Sequence, residues 1–195
     1  MRQKHFFSIL LMLVTISIGN VWADDVLYKT ATFSTSYCTS NSSYTGSVTC
    51  TIGSDAWTAT NAANNNGGWD YVKMGAKRSG SGSSAKPTTQ TGTISTSAAY
   101  SEAITKIVVN GTIERAQLDS TKLVIASNSG FSNDVVKIAG PTTFTDGKMT
   151  FTVSSPVANR YYKLEFYCYN NTSTNGVVAI TSVEYYKPAA ANPTV

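Results

Sequence analysis

Histidine is almost missing from this chain. The only one, His5, lies within a stretch that reads as a leader and leaves the mature protein without any. That excludes a Ser-His-Asp triad, a Cys-His pair and the usual zinc site. Charge is scarce as well, at 13% of residues, and the acids are scattered through turns and polar strand positions. A glycosidase needs two carboxylates facing each other across a cleft, about 5–10 Å apart, and no such pair is marked. The expectation is a chain that is not an enzyme. Long apolar runs are confined to the start, and no later stretch keeps a helical period beyond one turn at residues 101–106.

The start has its own logic. Arg2 and Lys4 give a basic beginning, and residues 6–18 form a mostly apolar run. Val21-Trp22-Ala23 then places small residues before a cut. This is the pattern of a secretory signal peptide, residues 1–23, cleaved after Ala23. The run is shorter than the roughly 20 residues of a membrane span. An uncleaved N-terminal anchor is the competing reading. No cysteine follows the run, which argues against a lipid anchor at this end. The predicted location is therefore extracytoplasmic, either secreted or at the cell surface.

Losing Arg2 and Lys4 lowers the formal charge from +4 to +2, because no acid precedes Asp24. A surface so close to neutral offers no electrostatic basis for binding nucleic acid or an anionic membrane. Polarity is carried instead by Ser, Thr, Asn and Gly, which suits short strands and turns, and also neutral, hydroxyl-rich ligands. Three cysteines remain, Cys38, Cys50 and Cys168. In an oxidising compartment two of them are expected to pair. Cys38 and Cys50 bracket a turn-like segment and are the candidate disulfide; the alternative is that both stay small core residues. Cys168 reads as a buried thiol.

What the chain does have is alternation. Patterns of apolar and polar residues mark strands in residues 26–34, 48–52, 56–60, 69–74, 91–96, 104–109, 122–126, 135–138 and 148–153, with Asn110-Gly111 a bulge or turn before Thr112-Ile113. The clearest signal is residues 160–187, which read as a β-hairpin whose two arms flank Asn170-Asn171-Thr172-Ser173-Thr174-Asn175-Gly176. Residues 61–68 read as an Asn/Gly-rich loop, and residues 76–90 as a long surface loop within one domain. Short strands at this spacing predict an all-β fold, a two-layer antiparallel β-sandwich of the jelly-roll kind, over residues 24–187. Residues 188–195 form a Pro/Ala-rich tail or linker.

Aromatic residues are the lead for function. Trp57, Trp69 and Tyr71 flank the Asn-rich loop, while Tyr161, Tyr167 and Tyr169 alternate with Leu164 and Phe166 and so face the other way. A flat ring beside amide groups suits a sugar, because the ring stacks on C–H faces and the amides bond the hydroxyls. Trp57 reads as core. The candidate ligand rim is Asn64, Asn65, Asn66, Trp69 and Tyr71. Structural Ca²⁺ is conceivable if Asp24, Asp25 and Glu184 meet, since sandwiches bring chain ends together, but no motif supports it. No cofactor is expected.

Finally, the order Trp57-Thr58-Ala59, Tyr71-Val72-Lys73-Met74-Gly75, Thr91-Gly92-Thr93-Ile94-Ser95-Thr96 and Ile104-Thr105-Lys106-Ile107-Val108-Val109 resembles a non-catalytic module of bacterial surface and secreted proteins. The closing Val178-Ala179-Ile180-Thr181-Ser182-Val183-Glu184-Tyr185 is similar to its last strand. Such modules are galactose-binding-like jelly rolls, the fold of many carbohydrate-binding modules. The resemblance implies an exported module that binds carbohydrate or a cell-surface glycan. Many relatives hold Ca²⁺ through an Asp in the last strand, where this chain has Thr181 and Ser182. The alternative function is a structural or adhesive surface domain acting through protein–protein contacts.

Overall fold

The computed structural model describes residues 25–190. The segment read as a signal peptide, Asp24 and the last five residues lie outside them. The expected fold class is the one observed: an all-β, two-layer antiparallel sandwich. One layer joins β1 (Val26–Thr32), β4 (Ala62–Ala63), β5 (Val72–Met74), β7 (Lys106–Ile113), β10 (Lys148–Thr152) and β12 (Val178–Lys187). The other runs in the order β2 (Ser47–Ile52), β3 (Asp55–Thr60), β6 (Thr88–Thr96), β11 (Tyr161–Asn170), β8 (Gln117–Ala126) and β9 (Val136–Gly140). No helix among the described residues is long and apolar enough to cross a membrane.

Alternation explains why these residues form these strands. In β11 every second residue, from Tyr162 through Leu164 and Phe166 to Cys168, is buried, and the residues between them are half-buried. A period of 2 sends successive side chains to opposite faces, so one face meets the second sheet and the other does not. The inner faces of both sheets supply a single core that includes Trp57, Ile94, Ile107, Leu123, Phe151, Phe166 and Tyr185. Each large apolar side chain buried there contributes about 1.5–3 kcal/mol. Two backbone details make the fit possible. Gly92 lies where a Cβ would stand 2.4 Å from the Met74 sulfur of the opposite sheet. Asp146 and Gly147 both take positive φ, 50° and 74°, the signature of the tight turn that Asp-Gly favours.

The hairpin read over residues 160–187 does not form. β11 pairs with β6 and β8, whereas β12 pairs with β7, β1 and β5 in the other sheet. The segment between them crosses from layer to layer. Its polar residues satisfy themselves: the Asn170 amide donates to the Thr174 carbonyl (2.9 Å) and its oxygen accepts from the Thr172 N–H (2.9 Å). Both strands need a central place in a sheet to bury one whole face, and two adjacent arms of one ribbon would leave one sheet without its centre.

Other boundaries move as well. Residues 61–68 contain the two-residue strand β4, which pairs with β5. β5 begins only at Val72, so Trp69 and Tyr71 precede it. Within residues 76–90 a 3₁₀ turn at Gly82–Ser84 and a bridge between Ser79 and Lys86 shorten the loop, and β6 starts at Thr88. Cys38 and Cys50 are joined by a disulfide that ties the segment before β2 to that strand.

Candidate functional site

The predicted ligand rim is only partly assembled. Asn64 does not belong to it, because it is 2% exposed and spends its amide internally. Its oxygen accepts from the Asn41 N–H (2.8 Å) and the Gly67 N–H (3.1 Å), and its nitrogen donates to the Thr39 carbonyl (2.9 Å). Burial demands such partners for an amide, so Asn64 is the brace of its loop. Asn65 and Asn66 are exposed, with φ of 53° and 55°. They are there because asparagine tolerates the left-handed turn. Trp69 and Tyr71 do come together, their rings stacked at 5.2 Å and 17°.

That aromatic corner contains residues that sequence reading did not assign to it. The Lys73 ammonium lies 4.6 Å from the Trp69 ring centre and 5.3 Å from that of Tyr71. It is also paired with Glu114 at 2.6 Å. Arg115 donates from Nε to the Gly176 carbonyl (3.1 Å). Burial and the nearby Glu114 carboxylate push the Tyr44 hydroxyl up to about 12. The corner is thus a cation held between rings and a carboxylate, with much of its bonding capacity already used.

The outer face of the sheet centred on β11 is different, because neither layer covers it. Tyr161, Lys163, Glu165, Tyr167 and Tyr169 stand along it, each half-buried. At the Tyr161 end, Phe131 meets Tyr161 edge-on at 6.5 Å, and the Lys163 ammonium lies 5.0 Å from the Phe131 ring centre. At the other end lies a depression of about 270 Å³, lined by Thr89, Gln90, Thr91, Asp119, Ser120 and Tyr167. Its cause is a bulge. Tyr167 pairs with Ser120 but Cys168 pairs with Leu118, so Asp119 is an extra residue on β8. A bulge bends its strand and re-aims a side chain.

Tyr167 is fixed in place by its neighbours. Its hydroxyl donates to Glu165 Oε2 at 2.7 Å. The Lys122 ammonium reaches that hydroxyl at 3.4 Å and lies 4.7 Å from the ring centre, so it sits toward the hydroxyl end of the ring. Glu165 also pairs with Lys163 at 2.9 Å. Burial pushes the Glu165 carboxyl up, but the Tyr167 hydroxyl and the Lys163 and Lys122 charges outweigh it, and the group stays below its ordinary value. Beneath the depression, Cys168 is 1% exposed. Burial, aided by Asp119, pushes its thiol up to about 12.

Elsewhere four further carboxylates are engaged. Asp25 accepts from Thr105 Oγ1 (2.6 Å) and pairs with Lys106 (3.3 Å). Asp55 pairs with Lys29, and Glu102 with Lys187. Glu184 accepts from Tyr186 (2.6 Å) and Asn110 (2.9 Å). The imagined meeting of Asp25 with Glu184 does not occur. Val26 pairs with Lys187 while Thr30 pairs with Glu184, which separates the two acids by several residues of extended strand; Asp24 lies outside the described residues. Among the described residues no group of three His, Cys, Asp or Glu side chains stands close enough to hold a metal ion.

The chain matches no family model, no curated protein and no solved structure.

Proposed function

We propose that this chain is an exported, non-catalytic binding module for carbohydrate or a cell-surface glycan, with the sugar seated in the depression beside Tyr167. The observation that carries this reading is the uncovered outer face of β11, with a half-buried tyrosine ring set among hydroxyl and carboxylate groups. A sugar has apolar C–H faces and a rim of hydroxyls. The ring packs on the first, while Thr89, Thr91, Ser120 and Asp119 offer donors and acceptors for the second. Export is supported by the signal-like first 23 residues and by the Cys38–Cys50 disulfide. The resemblance to galactose-binding-like jelly rolls points the same way. The non-catalytic reading is supported by Asp25, Asp55, Glu102, Glu114, Glu165 and Glu184, each engaged by a cation or a hydroxyl.

The Trp69–Tyr71 corner is the alternative seat on the same molecule. A glycan array probed with the mature protein, followed by titration of its best ligand, tests both. Tyr167→Ala should weaken binding at least about tenfold, and Trp69→Ala should leave it unchanged. Loss through Trp69→Ala alone would move the site to the corner, and no retained glycan would overturn the reading.

A structural or adhesive role through protein contacts is favoured by a separate observation. Val135, Val136 and Val157 are exposed beside a cavity of about 710 Å³, at the edge strand β9. Concentration-dependent self-association abolished by Val136→Lys would support it.

A further inference from the structure

The depression beside Tyr167 does not stand alone on its face. The outward positions of the three strands to one side carry almost nothing but hydroxyls: Thr91, Thr93 and Ser95 on β6, Thr58 and Thr60 on β3, and Ser47 and Thr49 on β2. Strand pairing lines them up. Thr93 faces Thr60, which faces Ser47, and Ser95 faces Thr58, which faces Thr49. These residues are half-buried or exposed, while their neighbours Ile94, Ala59, Trp57, Val48 and Cys50 point into the core. No charged side chain occupies an outward position of these strands between Ser47 and Thr51, Ala56 and Thr60, or Thr89 and Ser95.

Hydroxyl rows of this kind have spare bonding capacity. Thr60 and Thr93 share a hydrogen bond at 2.6 Å, and Thr49 and Thr58 one at 3.4 Å. Each such pair uses one proton between two oxygens, leaving one O–H and several lone pairs per pair for an outside partner. The rows cross the strands, so successive hydroxyls are set apart by the interstrand distance of about 4.8 Å. That is comparable to the advance per residue in an extended chain of pyranose sugars. On β11 the two rows end at Glu165 and Lys163, an acid and a base paired with each other, while Tyr167 faces Thr91, one outward position along from Thr93. From Tyr167 to Ser47 is three strands across and two residues along, about 16 Å.

We infer that the ligand of this face is an extended, uncharged polysaccharide, gripped by one sugar at Tyr167 and laid across β6, β3 and β2 on the threonine rows. The inference rests on the reading of the Tyr167 depression as a sugar seat and adds the class of ligand and the direction it takes. Neutrality follows from the rows, since β6, β3 and β2 offer a polyanion no cation and Lys163, at the β11 end of one row, is already paired with Glu165. Extension follows from the repeat, since a branched or compact glycan would touch one row position and miss the next.

The test uses the mature protein, with cello-, manno- and xylo-oligosaccharides from mono- to hexasaccharide, and polygalacturonate as the acidic control. Calorimetry should show affinity for one neutral series rising at least about tenfold with chain length, with little dependence on salt. The double substitution T60V/T93V keeps side-chain shape and strand preference while removing two hydroxyls. It should abolish most of the gain with length and leave binding of the shortest ligand intact, with an unchanged melting temperature. Tyr167→Ala should weaken every length alike. Affinity that is flat with chain length, a gain that survives T60V/T93V, or salt-sensitive preference for polygalacturonate would each overturn the inference while leaving a sugar seat at Tyr167 standing. Failure of all neutral series would overturn it too. The glycan array then decides separately whether the seat itself survives.

Discussion

The Tyr167 hydroxyl donates to Glu165 at 2.7 Å, two positions back along the same face of β11. The bond runs between neighbours on one side of a strand and holds an outward ring in one orientation where it would otherwise swing. Glu165 is held in turn by Lys163. The ring is therefore preorganised for whatever lies on it, which lowers the ordering cost of binding.

The first prediction concerns that bond and acid. Glu165 has a folded-state carboxyl below its ordinary value, so its stabilising contribution is complete above the unfolded value and is lost as pH falls through the folded one. Urea unfolding of the wild type and Glu165→Gln should differ most near neutral pH. The gap should close as pH drops below about 4. A gap that stays constant or widens in acid would mean that the carboxylate is not held by Tyr167 and the lysines.

Asn64 is predicted to matter for stability. Asn64→Ala leaves the Asn41 and Gly67 N–H groups and the Thr39 carbonyl without their partner, and should cost about 1–3 kcal/mol. Asn65→Gly, at a left-handed and exposed position, should be close to neutral. Chemical denaturation of both variants checks the contrast.

The Cys38–Cys50 bond closes a short loop, and removing it through Cys38→Ala with Cys50→Ala should lower stability by about 2–4 kcal/mol. Thermal melts with and without reductant should show the wild type falling toward the variant and the variant unmoved.

Cys168 should be silent in the folded protein. Burial holds its thiol up to about 12, and the thiolate is the reactive form. A thiol reagent at pH 8 should modify it only as fast as the protein unfolds, and urea should release the reaction at once.

Much of the fold was legible because alternation is a local signal. Tyr162, Leu164, Phe166 and Cys168 declare their shared face within one strand, and Asp146-Gly147 declares its turn. Partner choice was not legible, since nothing in β11 or β12 says which sheet each joins; that is decided by how two whole layers share one core. The site was harder to read for the same reason. Trp69 and Tyr71 could be paired from proximity in sequence, but Lys73 and Glu114 meet only because β5 and β7 flank the same strand, β12. The Tyr167 depression depends on a bulge at Asp119, one extra residue in a pairing that sequence does not specify. Asn64 misled because an amide in a loop advertises equally for a ligand and for its own backbone.

The pairing of β1 with β12 sets Val26 beside Lys187, in the layer opposite the one that carries Tyr167 and the threonine rows. The two ends of the sandwich therefore lie side by side, in the far layer from the hydroxyl face. The outer face of β11, β6, β3 and β2 is thus clear of both ends of the sandwich, and a tag joined at either one should leave that face accessible.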